Sequence, residues 1–264
     1  MSGLRILVCA KQVPDPEGPP SSFVIDAMSK RVIPSGIPPV INPFDENALE
    51  LALRVKERYG ARITVLSAGS GLSRTVLRKV LAVGADELVL LEDPEFSDLD
   101  SPSTASVLAA GIRKLGRFDL FLAGRQASDT NAGQVGILLA EMLRVPCINL
   151  AFELTMEEDG VRIKRVVEGG FEEVRAKLPL LLTVSSEVGK LRAMTLKQMR
   201  EAMSKPIHVM SREELGLDPS KLRKTNILEL SVPRWERKCV LIEGGTPEEA
   251  GANLALRLRA DKVL

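Results

Sequence analysis

The segment DLFLAGRQASDTNAGQVG, residues 119–136, decides the fold. A short apolar run at residues 120–123 leads into Gly124, and small polar residues follow it. Apolar side chains then recur at three- and four-residue steps, at Val135, Leu138, Leu139 and Met142, which is the spacing of a helix face. The segment therefore predicts a strand, a loop and a helix start. Such a junction collects backbone N–H groups that can hold an anion.

The loop of this segment is dense in polar side chains that could grip a nucleotide: Arg125, Gln126, Asp129, Thr130, Asn131 and Gln134. Two interpretations are open, because the connections of every α/β domain are polar and solvated. The loop is either an ordinary solvated connection or a nucleotide site. Asp129 has an alternative role of its own, since Asp is a preferred helix cap.

Composition limits the classes of protein to which the chain can belong. It has 264 residues with 36 basic and 35 acidic side chains, so its net charge of +1 argues against nucleic-acid binding by bulk charge. Its 3 cysteines are far apart, and this fits a reducing compartment rather than a disulfide framework or a metal site. No signal peptide or long apolar run is recognisable. We expect a soluble cytoplasmic protein without direct membrane insertion.

The first half of the chain repeats one unit, a strand followed by a helix. Strands are predicted at residues 4–10, 62–67, 87–91 and 120–123, and helices at 48–59, 73–83, 101–115 and 133–143. This alternation predicts an α/β fold, a doubly wound and mostly parallel sheet with crossover helices on both faces. Asp45 is the predicted cap of the first helix, and Ser101 or Ser103 that of the third.

Ligands of such sheets bind beyond the carboxyl ends of the strands. Three groups of residues fall at these ends: 9–11, 68–71 and 124–134.

The second half has a different pattern. After Pro146 the sequence predicts three antiparallel edge strands (149–156, 161–168 and 171–176) and a buried strand (178–185). A small hairpin is also predicted earlier in the chain, at residues 23–26 and 31–34. Residues 1–186 are thus the predicted α/β nucleotide-binding domain. Residues 187–264 look less compact. They comprise a helix capped by Thr195, an extended C-terminal arm as far as Arg237, and a terminal helix capped by Thr246. The methionines of the first helix favour core filling, with an adaptable partner surface as the alternative.

Several separate motifs together resemble one family. The stretches ILVCAKQVPD (6–15), INPFDENALE (41–50), LRKVLAVGAD (77–86), GRQASD (124–129) and GQVG (133–136) are similar, in the same order, to the β subunit of electron transfer flavoprotein. The likeness covers nearly the whole chain. It implies a heterodimer with an α subunit, which holds the redox-active FAD. Electrons would come from a flavin-linked dehydrogenase of the acyl-CoA type and leave to a membrane quinone reductase or another acceptor.

The resemblance also implies roles for residues of this chain. Residues 187–264 would comprise the recognition loop, arm and helix that pack on the partner subunit. Phe44 matches a position near the partner's flavin, and Leu196 the leucine that docks into dehydrogenases. The nucleotide site matches Cys9, Lys11, Asn42, Phe44, Asp45, Ala68, Gln126, Asp129, Thr130, Asn131, Gly133, Gln134, Val135 and Gly136, to which the loop chemistry adds Arg125.

The ligand of this site is open between AMP and a second FAD. Members that hold AMP as a structural ligand usually carry an Asn-Gln-Thr-Gly run, whereas Gln134-Val135-Gly136 is similar to the branch that performs electron bifurcation. In that branch FAD occupies the site and NADH reacts there. Residues 243–250 (EGGTPEEA) also resemble the bifurcating branch. Residues 187–192 lack the Asn-Glu-Pro-Arg-Tyr run of many members, so the dehydrogenase partner stays undetermined.

The sequence offers no constellation for acid–base or nucleophilic catalysis. His208 is the one histidine, and no Ser/His/Asp set or metal-ligand cluster can be assembled around it. This agrees with what the resemblance implies, an electron-carrier subunit that binds AMP or FAD. The alternative from another class is a stand-alone adenine-nucleotide-binding or hydrolysing α/β protein.

Overall fold

A computed structural model describes residues 3–222, 225–233 and 239–263. The strands are β1 (Leu4–Cys9), β2 (Gln12–Pro14), β3 (Phe23–Asp26), β4 (Arg31–Pro34), β5 (Pro39–Ile41), β6 (Ala61–Gly69), β7 (Glu87–Glu92), β8 (Leu120–Gly124), β9 (Cys147–Glu157), β10 (Gly160–Val167), β11 (Gly170–Ala176), β12 (Leu180–Val184) and β13 (Ile207–Met210). The α-helices are α1 (Pro43–Tyr59), α2 (Arg74–Leu77), α3 (Lys79–Val83), α4 (Ser101–Leu115), α5 (Val135–Leu143), α6 (Leu196–Ser204), α7 (Arg212–Leu215) and α8 (Pro247–Ala260).

One large sheet organises the chain, in the order β11-β10-β9-β12-β8-β1-β6-β7-β13. Neighbours from β9 to β13 run parallel, while β10 pairs antiparallel with both β9 and β11. The predicted fold class, a mostly parallel α/β sheet with antiparallel edge strands, is confirmed. Strands β8 and β12 are buried throughout, as expected where helices cover both faces of a parallel sheet.

The order of the strands reverses at β1. The chain lays β6 and β7 on one side of β1, and later places β8 and β12 on the other side. In doubly wound folds the loops that follow two such strands diverge, and we call the space beyond the carboxyl ends of β1 and β8 the crevice. This is the position at which doubly wound folds bind ligands.

Two of the predicted helix caps are wrong. Helix α1 begins at Pro43 after Asn42, and Asp45 lies inside its first turn with its carboxylate turned to main-chain N–H groups of other segments. Helix α4 is capped by Asp100, whose Oδ1 accepts the Ser103 N–H at 2.9 Å, rather than by either serine. The predicted helix 73–83 is also divided at Arg78 into α2 and α3.

The compact part of the chain extends well beyond residue 186. The chain divides into two compact units, residues 1–228 and 229–264. Strand β13, which the sequence pattern did not predict, joins the edge of the large sheet beside β7, with Ile207 opposite Leu88 and Met210 opposite Leu91. His208 is an exposed residue of this strand. The functional division at residue 186 stays a prediction.

Helix α6 buries a different side from the one expected. Ala202 is the residue that packs inward, while Met199 is 47% and Met203 69% exposed, so core filling is wrong for these two methionines. Thr195 caps the helix as predicted, in a reciprocal capping box with Gln198.

The second unit contains α8, capped by Thr246 with Pro247 at its first position, as predicted. Parts of the predicted arm, residues 223–224 and 234–238, lie outside the described residues. Among the residues that are described, the helices are too short or too polar to span a bilayer.

Candidate functional site

Asp45 ties together the two strand ends that border the crevice. Its Oδ2 accepts the main-chain N–H of Lys11, just after β1, at 2.7 Å. Its Oδ1 accepts the N–H of Gly124, the last residue of β8, at 3.0 Å. The residue is only 7% exposed, and burial is the main reason that its pKa is raised to about 6, against the lowering effect of these hydrogen bonds.

Asn42 holds the loop that follows β8. Its Nδ2 donates to the Gln126 carbonyl at 2.8 Å, and its Oδ1 accepts the Ser128 N–H at 3.1 Å. Further along the loop, Gln126 Nε2 donates to Asn131 Oδ1 at 2.9 Å. Because Asn42 is 1% exposed and satisfied on both sides, it fixes the start of the loop rather than facing solvent.

Lys11 reaches across from β1 to the same loop. Its ammonium donates to both carboxylate oxygens of Asp129, at 2.6 and 2.8 Å. Asp129 is therefore an ion-pair partner, and its alternative role as a helix cap is wrong. The pair is partly exposed, with side chains 40% and 27% accessible, so it contributes little to stability and can exchange partners.

Phe44 and Arg125 stack against each other at the end of β8. The Arg125 guanidinium carbon lies 4.6 Å from the centre of the Phe44 ring. Arg125 Nε is buried and has no hydrogen-bond partner in the described part of the chain. A buried guanidinium nitrogen without an acceptor fits a site that receives an anionic or carbonyl oxygen from a ligand or a partner.

The start of α5 supplies backbone donors to the crevice. Gln134 is the residue at its N-cap, and in the described part of the chain no side chain caps this helix start. The first turn also contains no acidic residue. The N–H groups there are consequently free to bind an anion, which the positive end of the helix dipole favours.

Glycines allow the close packing around this helix start. Gly133 has a φ of 64°, a backbone conformation in which a side chain is strained, and it leads the loop into α5. Gly136 is buried, and a Cβ there would lie 2.8 Å from Thr183 Cγ2 of β12. Asn131, with a φ of 51°, turns the loop before them. Thr130, Asn131 and Gln134 are exposed, and Val135 is half-buried.

Two proposed site residues lie apart from this hydrogen-bonded network. Cys9 ends β1 and is buried, and burial together with the nearby Asp45 charge raises the pKa of its thiol. Ala68, half-buried near the end of β6, pairs with Leu91 of β7. The remaining predicted residues are brought to the two sides of one crevice. Their contact with a nucleotide stays a prediction.

Known proteins resemble the chain over its whole length. A family model described as the electron transfer flavoprotein domain matches residues 31–215. The chain is 35% identical to the caffeyl-CoA reductase-Etf complex subunit CarD of Acetobacterium woodii, with 99% of this chain and 100% of that protein covered. The same identity and coverage hold for the electron transfer flavoprotein subunit beta of Thermoanaerobacterium thermosaccharolyticum. The chain belongs to the electron transfer flavoprotein family.

Within the family it is a β-type subunit, which confirms the resemblance seen in the sequence. Another relative is the acryloyl-CoA reductase electron transfer subunit gamma of Anaerotignum propionicum, 32% identical with 99% of this chain and 100% of that protein covered.

A second surface of this electron transfer flavoprotein subunit lies on α6. Leu196 is 75% exposed and begins a row that continues with Met199 and Met203, at the three- and four-residue steps of one helix face. The helix is held from behind: Arg78 Nη1 donates to the carbonyls of Ala202, Met203 and Lys205 at 2.9, 3.2 and 3.1 Å.

Lys205 adds a reciprocal attachment, since its ammonium donates to the carbonyls of Leu81 and Ala85 at 3.0 and 2.7 Å. The apolar row is thus presented on a firmly anchored helix.

The segment before α6 is anchored to α1. Arg192 donates to both carboxylate oxygens of Glu50, at 3.0 and 3.1 Å, and also binds Glu57. Asn47 Nδ2 donates to the Gly189 carbonyl at 2.7 Å. Burial opposes the ionisation of Glu50, but the hydrogen bonds from Arg192 prevail and lower its pKa. Helix α1 therefore contacts the crevice through its first turn, and it contacts the segment before α6 through its later turns.

Three contacts of the site escaped the sequence-based prediction, although Gly124 and Ser128 lie within the predicted group 124–134. Ser128 N–H binds Asn42, Gly124 N–H binds Asp45, and the Gln12 side chain accepts the Ser73 N–H at 2.6 Å. All three contacts involve a main-chain N–H group, which leaves no signature in residue types. The glycine at the end of β8 was the one available signal.

Proposed function

We propose that this chain is the β subunit of a heterodimeric electron transfer flavoprotein that holds an adenine nucleotide in the crevice between β1 and β8. One observation carries the proposal. The uncapped start of α5 and the Lys11 ammonium meet the same loop at the switch point of the sheet, among the described residues. A phosphate group fits this combination of free backbone donors and a partly exposed positive charge.

Different residues of the crevice would bind different parts of the nucleotide. The N–H groups of residues 135–137 and the Lys11 ammonium would hold the phosphate, and Lys11 would exchange Asp129 for it. Asp129 would then be available to a ribose hydroxyl. Arg125 Nε, which is buried and has no hydrogen-bond partner in the described part of the chain, would donate to an oxygen of the ligand or of the partner subunit. The stacked Phe44 would complete the flavin environment of the partner.

FAD is the favoured ligand of the crevice, and AMP is the alternative. The Gln134-Val135-Gly136 run and residues 243–250 support FAD, since both resemble the branch that bifurcates electrons. A bound FAD would supply one- and two-electron redox chemistry and allow NADH to act as electron donor. With AMP the nucleotide would be structural, and the FAD of the α subunit would carry the electrons alone.

The dehydrogenase partner would dock on the exposed face of α6. Leu196, Met199 and Met203 form an apolar row of a kind that adapts to a partner surface. Two relatives are named for reductases of CoA thioesters, which supports a flavin-linked partner of the acyl-CoA type. The chain itself would bind and orient the nucleotide and present the apolar row of α6 to the dehydrogenase, because electron transfer requires proximity rather than a catalytic side chain.

Ligand counting tests the proposal. The chain is co-purified with its α subunit, the heterodimer is denatured, and released flavin and AMP are quantified by chromatography. Two flavins per heterodimer support the FAD-loaded crevice, and one flavin with one AMP supports the alternative. Lys11→Met should lower the nucleotide content, most strongly at low salt where the charge is least screened, whereas Lys114→Met, which changes an exposed lysine on α4, should not. A stable monomer without nucleotide would overturn the proposal.

A further inference from the structure

Two aspartates join the same pair of strands, one at each end. At the amino ends, Asp119 Oδ2 accepts the Arg5 N–H at 2.8 Å, and the Arg5 carbonyl accepts the Asp119 N–H at 2.9 Å. At the carboxyl ends, Asp45 binds the N–H groups of Lys11 and Gly124. Asp119 belongs to the strands it joins, whereas Asp45 comes from α1. Asp45, which belongs to a third segment, therefore controls the distance between the two strand ends.

We propose that Asp45 is a positioning residue whose ionised carboxylate sets the width of the nucleotide crevice without contacting the nucleotide. The inference rests on the proposed function, because it concerns the same crevice. It departs from the expectation that Asp45 is itself a ligand-binding residue. Both of its oxygens already accept main-chain hydrogen bonds, and the side chain is buried.

Only the ionised form can serve both strand ends. A carboxylate accepts on each oxygen, whereas a protonated carboxyl group has one oxygen that must donate. An O–H group facing either N–H would leave that N–H without an acceptor in a buried place. Protonation therefore releases the end of β1 or the end of β8, and with it Lys11 or the loop that begins at Arg125.

The surroundings place this protonation within an accessible pH range. Burial raises the pKa of Asp45 to about 6, and the bonds from Lys11, Asn42 and Gly124 counteract part of the rise. The groups that face the carboxylate are the Cys9 thiol from β1, the Lys11 ammonium beyond it and the Asn42 side chain before α1. Lys11 is itself neutralised by Asp129. Nucleotide retention should consequently fall as the pH drops through about 6.

Protein stability should move in the opposite direction. A folded-state pKa above the model value of 3.8 means that the folded chain takes up the proton more readily than the unfolded chain. The contribution of Asp45 to stability is thus complete below pH 3.8 and lost as the pH rises through about 6. Loss of nucleotide without loss of folding between pH 7 and 5 is the signature that separates this mechanism from general acid unfolding.

The test uses the nucleotide-loaded heterodimer. Samples are held between pH 7.5 and 5.0, free nucleotide is removed, and the dissociation rate is measured by the nucleotide that remains. The wild-type rate should rise about tenfold or more across pH 6, the factor that one charge-assisted bond contributes. Asp45→Asn should release nucleotide quickly at every pH, with no step other than the one that the phosphate of AMP itself contributes. Asp119→Asn, the matched control at the other end of the strands, should keep the wild-type profile.

Two comparisons make the outcome decisive. The phosphate of AMP titrates near the same pH, but its effect persists in Asp45→Asn and is removed by comparing the two profiles. Amide hydrogen exchange at Lys11 and Gly124 in the wild type needs no substitution, and both amides should lose protection below pH 6. A flat wild-type profile, or a step in Asp45→Asn as large as that of the wild type, would overturn the inference. Absence of nucleotide at pH 7.5 would instead overturn the proposed function on which it rests.

Discussion

A methyl group at Gly124 should disrupt the crevice more than any surface change. A Cβ at this position would lie 2.6 Å from Asp45 Oδ1, 2.6 Å from the Phe44 carbonyl carbon and 2.8 Å from the Asp45 nitrogen. Such distances require one of the neighbours to move. Two of the three atoms are backbone atoms in the first turn of α1, so no flexible side-chain end is available to absorb the clash.

The magnitude follows from two costs. Forcing extra volume into a packed site costs about 1–3 kcal/mol. Displacing Gly124 also removes a hydrogen bond to a buried carboxylate, which is worth about 1.5–3 kcal/mol. Gly124→Ala should therefore lower the free energy of unfolding by about 3–6 kcal/mol. In a chain of this size that corresponds to a fall in Tm of about 2–4 °C for each kcal/mol.

Thermal unfolding and nucleotide content of the heterodimer provide the assay. Gly170→Ala is the matched control, because a Cβ at this strand glycine meets open space. We expect Gly124→Ala to lose both stability and nucleotide, and Gly170→Ala to retain both. Equal behaviour of the two variants would refute the reasoning that Gly124 is needed for the close approach of β8 to α1.

Three further predictions concern the surface formed by α6 and its attachments. Leu196→Ala should slow electron acceptance from the dehydrogenase about tenfold, because one apolar anchor of the docked complex is removed, and should leave the bound nucleotide unchanged. Stopped-flow reduction measures the rate of electron acceptance, and a loss of nucleotide would contradict the docking role. Arg78→Ala should speed amide exchange in the last turn of α6, because three carbonyls lose their donor; unchanged exchange would show that Lys205 alone anchors the helix. Arg192→Ala should lower stability by about 1.5–3 kcal/mol at pH 7, because the buried and ionised Glu50 loses the hydrogen bonds from the Arg192 guanidinium and keeps Arg54 as its ion-pair partner. The pKa of Glu50 is lowered by Arg192, so this loss should shrink as the pH falls below 4.5, and a loss independent of pH in urea unfolding would exclude the ion pair as its cause.

The crevice shows which parts of the fold and of the site can be predicted from residue patterns. Apolar runs and helical spacing located β1, β6, β7 and β8 to within a few residues, since burial on both faces of a parallel sheet demands continuous apolar sequence. The polar loop of residues 124–136 was found in the same way, because strand ends in such sheets adjoin the ligand. The pairing of Lys11 with Asp129, 118 residues apart, could not be read from spacing.

Asp45 shows why some local predictions failed. An aspartate near a helix start usually caps that helix, and local sequence contains no sign of another partner. The fold brings the ends of β1 and β8 beside it and offers two N–H donors that lie 34 and 79 residues away. The predicted burial of the α6 methionines was wrong for a related reason. Their spacing marked one helix face, but whether that face is buried depends on which side Arg78 and Lys205 attach.

The sequence by itself determined the strands and helices of the doubly wound sheet, the family, and the polar loop at residues 124–136. Local periodicity, turn chemistry and collinear motifs are properties of neighbouring residues, so they can be read along the chain. Tertiary structure alone decided that Asp45 joins two strand ends, that Asp129 pairs with Lys11, and that β13 completes the sheet. Each of these depends on groups brought together from distant positions, several of them main-chain N–H groups that every residue type except proline provides.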